Sequence, residues 1–259
     1  MGKVEMSQIY IAAIIVSVIL LLIFFPLIGW FNRWVGQKKL WVLLILSLPF
    51  SMIINLAVKG PIFNGLIEFL GFEGTLLVNW PPEMLALTLA IGGLAEEAIK
   101  IAPLIVPSLR EICQQSQLKC LTIGWILGAG FGLGEAWYIA WQISLVPSLA
   151  GYPFYLYTGY ISERVLVTFV HAAMTMIAIY GIYLRKGWWF PTYLAASFTH
   201  ACFNIPALLY QIQVLDGFTT TLIVSITAAA SILALLYIIG RLDKAEHPSK
   251  IEIIYQADC

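Results

Sequence analysis

The chain has 259 residues, 61% of them hydrophobic and 11% charged, with a formal net charge of zero. A soluble domain is nearer half apolar and a quarter charged, so the excess apolar surface calls for a lipid bilayer. The balanced charge carries no signal for nucleic acid, and the dispersed Cys113, Cys120, Cys202 and Cys259, with no CxxC spacing, predict no disulfide framework.

Apolar runs long enough to cross a membrane recur along the chain, at about residues 8–30, 40–58, 83–107, 120–146, 160–184, 188–210 and 219–240. The fold class expected is therefore all-α, a polytopic membrane protein of about seven transmembrane helices. The first run reads as a retained span, because it is longer than a typical signal-peptide core and no small-residue cleavage site follows it. The stretch 60–82, "IFNGLIEFLGF" and then "NWPP", reads as interfacial. With no composition break and no repeat, the chain is taken as one integral membrane domain, 1–259. Its core runs roughly over 83–210, and a short tail follows at 241–259.

Orientation follows from the cations. Ten of the fourteen Lys and Arg (Arg33, Lys38, Lys39, Arg110, Lys119, Arg185, Lys186, Arg241, Lys244 and Lys250) fall in loops on one side. Lys3, Lys59 and Arg164 fall on the other, and Lys100 lies inside a span. This predicts an outside N-terminus and a cytoplasmic C-terminus. The outer loop "PSLAGYPFYLYTGY" has the tyrosines of an interfacial belt.

The third span holds "GGLAEEAIK", with Glu96, Glu97 and Lys100. A bare charge at mid-bilayer costs about 2.5–3.5 kcal/mol, so three approach roughly 10 kcal/mol unless they pair or line a wet cavity. Lys100 is four residues from Glu96 and three from Glu97, so either carboxylate can reach it. Adjacent residues point about 100° apart on a helix, so one Glu can hold Lys100 while the other faces elsewhere. The bland reading is a structural ion pair. The neighbouring spans weigh against it: the fourth carries Glu135, the fifth His171, and the sixth His200 with Asn204 one turn on. Glu96 is about 12 residues from the outer end of its span, Glu135 and His171 about 11, and His200 about 10, at ~1.5 Å per residue. Four alternating helices thus put Glu, Glu, His and His in one layer, which points to a shared site. Gly124, Gly128, Gly132 and Ala136 form a small-residue face that admits a close neighbour. Glu163 and Arg164, near the outer end of the fifth span, are expected to snorkel.

Glutamate and histidine around a water form a hydrolytic constellation, with Glu as general base. Asn204, on the same helix face as His200, can join it in stabilising an oxyanion. Glu135, His171 and His200 have the donor types for Zn²⁺, although a water held by Glu and His needs no ion, and no obligatory metal is expected. No Ser or Cys sits beside a base as a nucleophile; Cys202 is two residues from His200 and points elsewhere.

"EEAIK" (Glu96, Glu97, Lys100), "FGLGE" (Phe131, Glu135), the lone membrane His171 and "HACFN" (His200, Asn204) resemble the four motifs of PrsW-like intramembrane proteases, within the CAAX protease and bacteriocin-processing superfamily. The resemblance spans the third to sixth helices. It implies cleavage of a membrane-protein substrate in a prokaryotic plasma membrane, for example an anti-sigma factor. It also implies that Glu96 or Glu97 activates water, while His200 and Asn204 form the oxyanion site. The second motif departs from the CAAX branch, with Glu135 where that branch has histidine, and Lys100 stands where it has an arginine one residue later. Prenyl-protein processing is accordingly disfavoured, and His171 takes the place of the missing histidine. The superfamily also resembles the helical scaffold subunit of γ-secretase, so a non-catalytic scaffold is one alternative. A proton- or ion-coupled transporter is another, against which stands the lack of an inverted repeat. The sequence carries no sign of an oligomeric state.

Overall fold

A computed structural model describes residues 7–72, 74–184 and 187–246. Of the residues used for orientation, Lys3, Arg185, Lys186 and Lys250 lie outside the described residues, as do Cys259 and the side chains of Arg33 and Lys244. Among the described residues, helices joined by turns and short loops make up the chain, with no strand. In order come α1 (Gln8–Val35), α2 (Gln37–Ser47), α3 (Phe50–Ile54), a π-turn (Asn55–Lys59), α4 (Gly60–Phe69), α5 (Pro82–Ile101), α6 (Pro107–Gln115), α7 (Gln117–Ser144), the single turn α8 (Pro147–Ala150), α9 (Thr158–Leu184), α10 (Trp189–Gln211) and α11 (Gly217–Glu246).

Four stretches are long and apolar enough to cross a membrane: Gln8–Asn32, Lys38–Phe69, Phe154–Leu184 and Gly217–Ile238. They match the first, second, fifth and seventh expected spans. The third, fourth and sixth correspond to α5, α7 and α10, whose apolar character is diluted. Glu96, Glu97 and Lys100 sit on α5, five glycines between Gly124 and Gly134 on α7, and His200, Asn204 and Pro206 on α10. The interfacial reading of 60–82 is corrected in part: the helix runs through Gly60 to Phe69, and a 3₁₀ turn at Leu77–Asn79 precedes α5. At the other end of α5 the expected span is too long. Pro103 lacks an N–H, so the helix gives way to a 3₁₀ turn at Ala102–Ile105.

The outward faces carry the bilayer's signature. On α1, Ile9, Ala12, Val16, Leu20, Phe24, Ile28 and Phe31 recur every three or four residues and are buried, whereas Val18, Leu22 and Phe25 on the other side are half or more exposed. Exposed apolar side chains on that scale call for lipid. Among the buried faces, Phe24 and Phe31 both pack edge-on against Trp125 of α7, with centroids 5.1 Å apart.

α7 is the central helix, buried almost continuously from Leu118 to Ala136. Glycine makes that density achievable. A Cβ on Gly124, Gly128 or Gly132 would strike Met176, the His171 carbonyl and Ala172, or Thr168, all on α9. This is the expected small-residue face. A second face, which the spacing did not suggest, has Gly130 and Gly134 against Ser47 and Leu48 at the end of α2. α5 packs on α10 through Gly93, where a Cβ would strike the Ser197 carbonyl. α5, α7, α9 and α10 therefore converge at short separation, and their polar side chains meet.

Candidate active site

The sequence places Glu96 and Glu97 on α5, Glu135 on α7, His171 on α9 and His200 on α10; the fold joins them into one network. One turn beyond Gly93, Glu97 is fully buried and accepts from Lys100 Nζ at 2.6 Å and from His200 Nδ1 at 2.8 Å, both on Oε1. Lys100, also fully buried, spans to His171 Nδ1 at 2.9 Å. Its ammonium lies 4.4 Å from the centroid of the Phe131 ring. Phe131 in turn meets His171 edge-on at 5.0 Å. His171 Nε2 reaches Glu135 Oε2 at 3.0 Å.

These partners fix the ring tautomers. An ammonium only donates, so His171 Nδ1 accepts from Lys100, and Nε2–H donates to Glu135. A carboxylate only accepts, so His200 donates Nδ1–H to Glu97, which in the neutral ring leaves a lone pair on Nε2. That lone pair faces Glu96 Oε2 at 3.3 Å. Oε2 is buried and has no hydrogen-bond partner. Two acceptors thus face one another, an arrangement that a proton donor or a cation between them would relieve.

Glu96 and Glu97 are held differently. Glu96 Oε1 accepts from Lys59 Nζ at 2.5 Å. Lys59 was expected on the outer side of the membrane; the structure turns it inward onto this carboxylate. Arg164 is corrected in the same sense. Rather than snorkelling it is 8% exposed, with Nη1 donating to Glu135 at 2.8 Å and Nη2 to Glu163 at 2.6 Å. A guanidinium two turns before His171 lies on the same face of α9 and aims at the same partner, Glu135. That seven-residue spacing was the available signal. Lys59, Lys100 and Arg164 together balance Glu96, Glu97 and Glu135.

A cavity of about 300 Å³ opens beside the network, lined by Lys59, Glu135, Arg164, His171, Phe203 and Asn204 among others. The Asn204 side chain makes no hydrogen bond to another described residue, so its amide is available to the cavity. Glu96 and His200 do not line this cavity themselves; Lys59, the partner of Glu96, does.

Among the described residues, the group that could hold a metal ion is Glu96, His171 and His200, whose ligand atoms lie within 4.8 Å of one another. The expected set had Glu135 in place of Glu96. Glu135 is instead drawn toward Arg164; the buried carboxylate oxygens left free in the cluster are Glu96 Oε2 and Glu97 Oε2, and Glu96 is the one that groups with both histidines. The donor set suits Zn²⁺. Glu96 Oε2 and His200 Nε2 offer unused lone pairs, with Glu97 behind His200 in the usual outer-shell role. His171 would join only by exchanging one of its two present partners.

A buried Glu/His/His cluster inside a shell of membrane-length helices defines an intramembrane hydrolytic site. The chain belongs to the PrsW family of intramembrane metalloproteases, whose match covers residues 37–235. It is a protease of the membrane, as the four motifs implied, and this favours the hydrolytic reading over the scaffold and transporter alternatives. No curated protein and no solved structure matches the chain.

Proposed function

We propose that Glu96, His171 and His200 form the hydrolytic centre, and that the chain crosses the membrane seven times with its N-terminus outside. The substrate class proposed is a single-span membrane protein, such as an anti-sigma factor. The orientation is supported by the inward turn of Lys59 and Arg164, which removes two of the three cations counted on the outer side.

One observation carries the reading of the site: Glu96 Oε2 is buried without a hydrogen-bond partner and lies 3.3 Å from His200 Nε2. A water seated beside the two atoms, within hydrogen-bond distance of both, would donate one proton to each. As that water attacks a peptide carbonyl, Glu96 Oε2 is the acceptor with room for its proton. His200 orients the oxygen, and Glu97 holds the ring in the tautomer that makes this work. With the neutral His200 ring as acceptor, the oxyanion role expected of His200 and Asn204 together falls to the amide of Asn204, on the cavity wall. Lys100 and Glu135 fix His171 from its two ends. Zn²⁺, when bound by Glu96, His171 and His200, would acidify the attacking water and polarise the carbonyl.

The test is a comparison of membrane proteomes from cells making the wild-type chain or Glu96→Gln at equal folded levels. A single-span protein should accumulate uncleaved in the variant alone. Indistinguishable proteomes, with the same processed fragments in both, would defeat the assignment.

A further inference from the structure

Lys59 belongs to none of the motifs, and its position is built by an unusual piece of backbone. The helix from α3 into α4 widens into a π-turn at Asn55–Lys59, closed by Gly60 N–H donating to the Asn55 carbonyl. The cause is local. Pro61 has no N–H to donate, and its ring crowds the carbonyl four residues back, so the α pattern cannot continue through it. Gly60 tolerates the result; a Cβ there would come within 3.0 Å of the Asn55 oxygen. An inserted residue rotates the downstream helix by about 100° relative to a regular one. Leu56 and Val58 face outward, while Lys59 turns in, its side chain 16% exposed against 4% for Glu96. Such turns gather at functional places.

Two further facts concern what Lys59 touches. Its ammonium is the hydrogen-bond partner of Glu96, through Oε1. The other oxygen, Oε2, is the orphan that faces His200. A carboxylate held at one oxygen keeps the second aimed; released, it is free to rotate about its terminal torsion.

We infer that Lys59 is a positioning residue of the hydrolytic centre, presenting Glu96 with Oε2 turned to His200. The inference rests on the hydrolytic roles proposed for Glu96 and His200. Lys59 acts through Glu96, and the π-turn is the device that brings it there.

The experiment uses full-length protein in detergent as wild type, Lys59→Arg, Lys59→Met and Glu96→Gln. Each is measured for melting temperature, for Zn²⁺ affinity by competition with a chromophoric chelator, and for kcat and KM on the single-span protein found in the proteome comparison. Lys59→Met should keep its fold and its KM, while kcat and Zn²⁺ affinity fall about 10- to 100-fold, the range for loss of a residue that orients a ligand. Lys59→Arg should recover most of both. Lys59→Met with wild-type kcat overturns the inference, and so does Lys59→Arg as impaired as Lys59→Met. Glu96→Gln active at the wild-type rate brings down the reading of the whole site, whereas an inactive Glu96→Gln beside a normal Lys59→Met removes Lys59 alone. If wild type binds no Zn²⁺, the metal is removed from the proposed function, and the kcat comparison decides on Lys59. Should Lys59→Met fail to fold, Lys59→Gln, uncharged but still a donor, is judged by the same criteria.

Discussion

Glu96 and Glu97 are neighbours in the chain, yet each holds a different lysine: Glu97 pairs with Lys100 at 2.6 Å and Glu96 with Lys59 at 2.5 Å. The helical rotation between adjacent residues separates them, and burial differs with it. The Glu97–Lys100 pair is fully enclosed, whereas Lys59 keeps an edge on the cavity.

Stability should therefore separate the two. Lys100→Met leaves Glu97 charged and buried beside His200, and Glu97→Gln leaves Lys100 in the same condition. Breaking one side of a buried pair costs about 3–5 kcal/mol, so both variants should lose folded yield and melt lower. Glu96→Gln should melt closer to wild type, because Lys59 can turn to the cavity, while cleavage is lost. Thermal melts with parallel cleavage assays check this; a Glu97→Gln protein as stable as wild type would contradict it.

Arg164→Met should behave as a core mutation. It strands Glu135, which then keeps His171 as its partner, and a loss of about 3–5 kcal/mol is expected. A snorkelling arginine would cost far less. Chemical or thermal unfolding in detergent distinguishes the two.

The helix contacts give a third expectation. Gly128→Ala and Gly132→Ala drive a methyl into α9 and should cost about 1–3 kcal/mol through overpacking. They also push Glu135 and His171 apart, so cleavage should fall with stability. Gly65→Ala has open space around its Cβ and should be neutral or stabilising, by up to about 0.5–1 kcal/mol. Equal effects at all three positions would refute close approach as the reason for the glycines.

The residues alone carried no expectation of an obligatory metal, but the Glu96, His171 and His200 group and the metalloprotease family favour one, so purified protein should hold Zn²⁺ that a chelator removes together with activity. His200→Ala should abolish binding. Glu135→Gln, one step removed through His171, should weaken it only about 10- to 100-fold. The check is zinc content by elemental analysis across the three proteins; full zinc in His200→Ala would exclude that ring as a ligand.

Much of the site could be read from the chain alone because a charge in an apolar run is expensive, so each one stands out. Glu96, Glu97, Lys100, Glu135, His171 and His200 were all visible in that way, and their common depth brought them together. Lys59 and Arg164 were missed for the opposite reason. Both lie near span ends, where snorkelling to water is the cheaper assumption, and the inward turn of Lys59 depends on a backbone irregularity at Gly60–Pro61 that periodicity does not report. The choice between Glu96 and Glu135 as metal donor was likewise hidden, since it turns on which carboxylate Arg164 occupies. Helix number was blurred by the same residues that mark the site, because they dilute the hydropathy of α5, α7 and α10.

The order in which the partners are synthesised sets a condition on biogenesis. Glu135 leaves the ribosome 29 residues before Arg164, and Glu97 precedes His200 by 103. At about 5–20 residues per second, the longer gap lasts roughly 5–20 s. Glu96 and Glu97 already have Lys59 and Lys100, but Glu135 passes the shorter gap without its guanidinium, and Glu97 passes the longer one without its imidazole donor. The insertion machinery must shelter α5 and α7 until α9 and α10 arrive, so a transcript truncated between Ser144 and Thr158 would yield a fragment for quality-control proteolysis rather than a half-built enzyme.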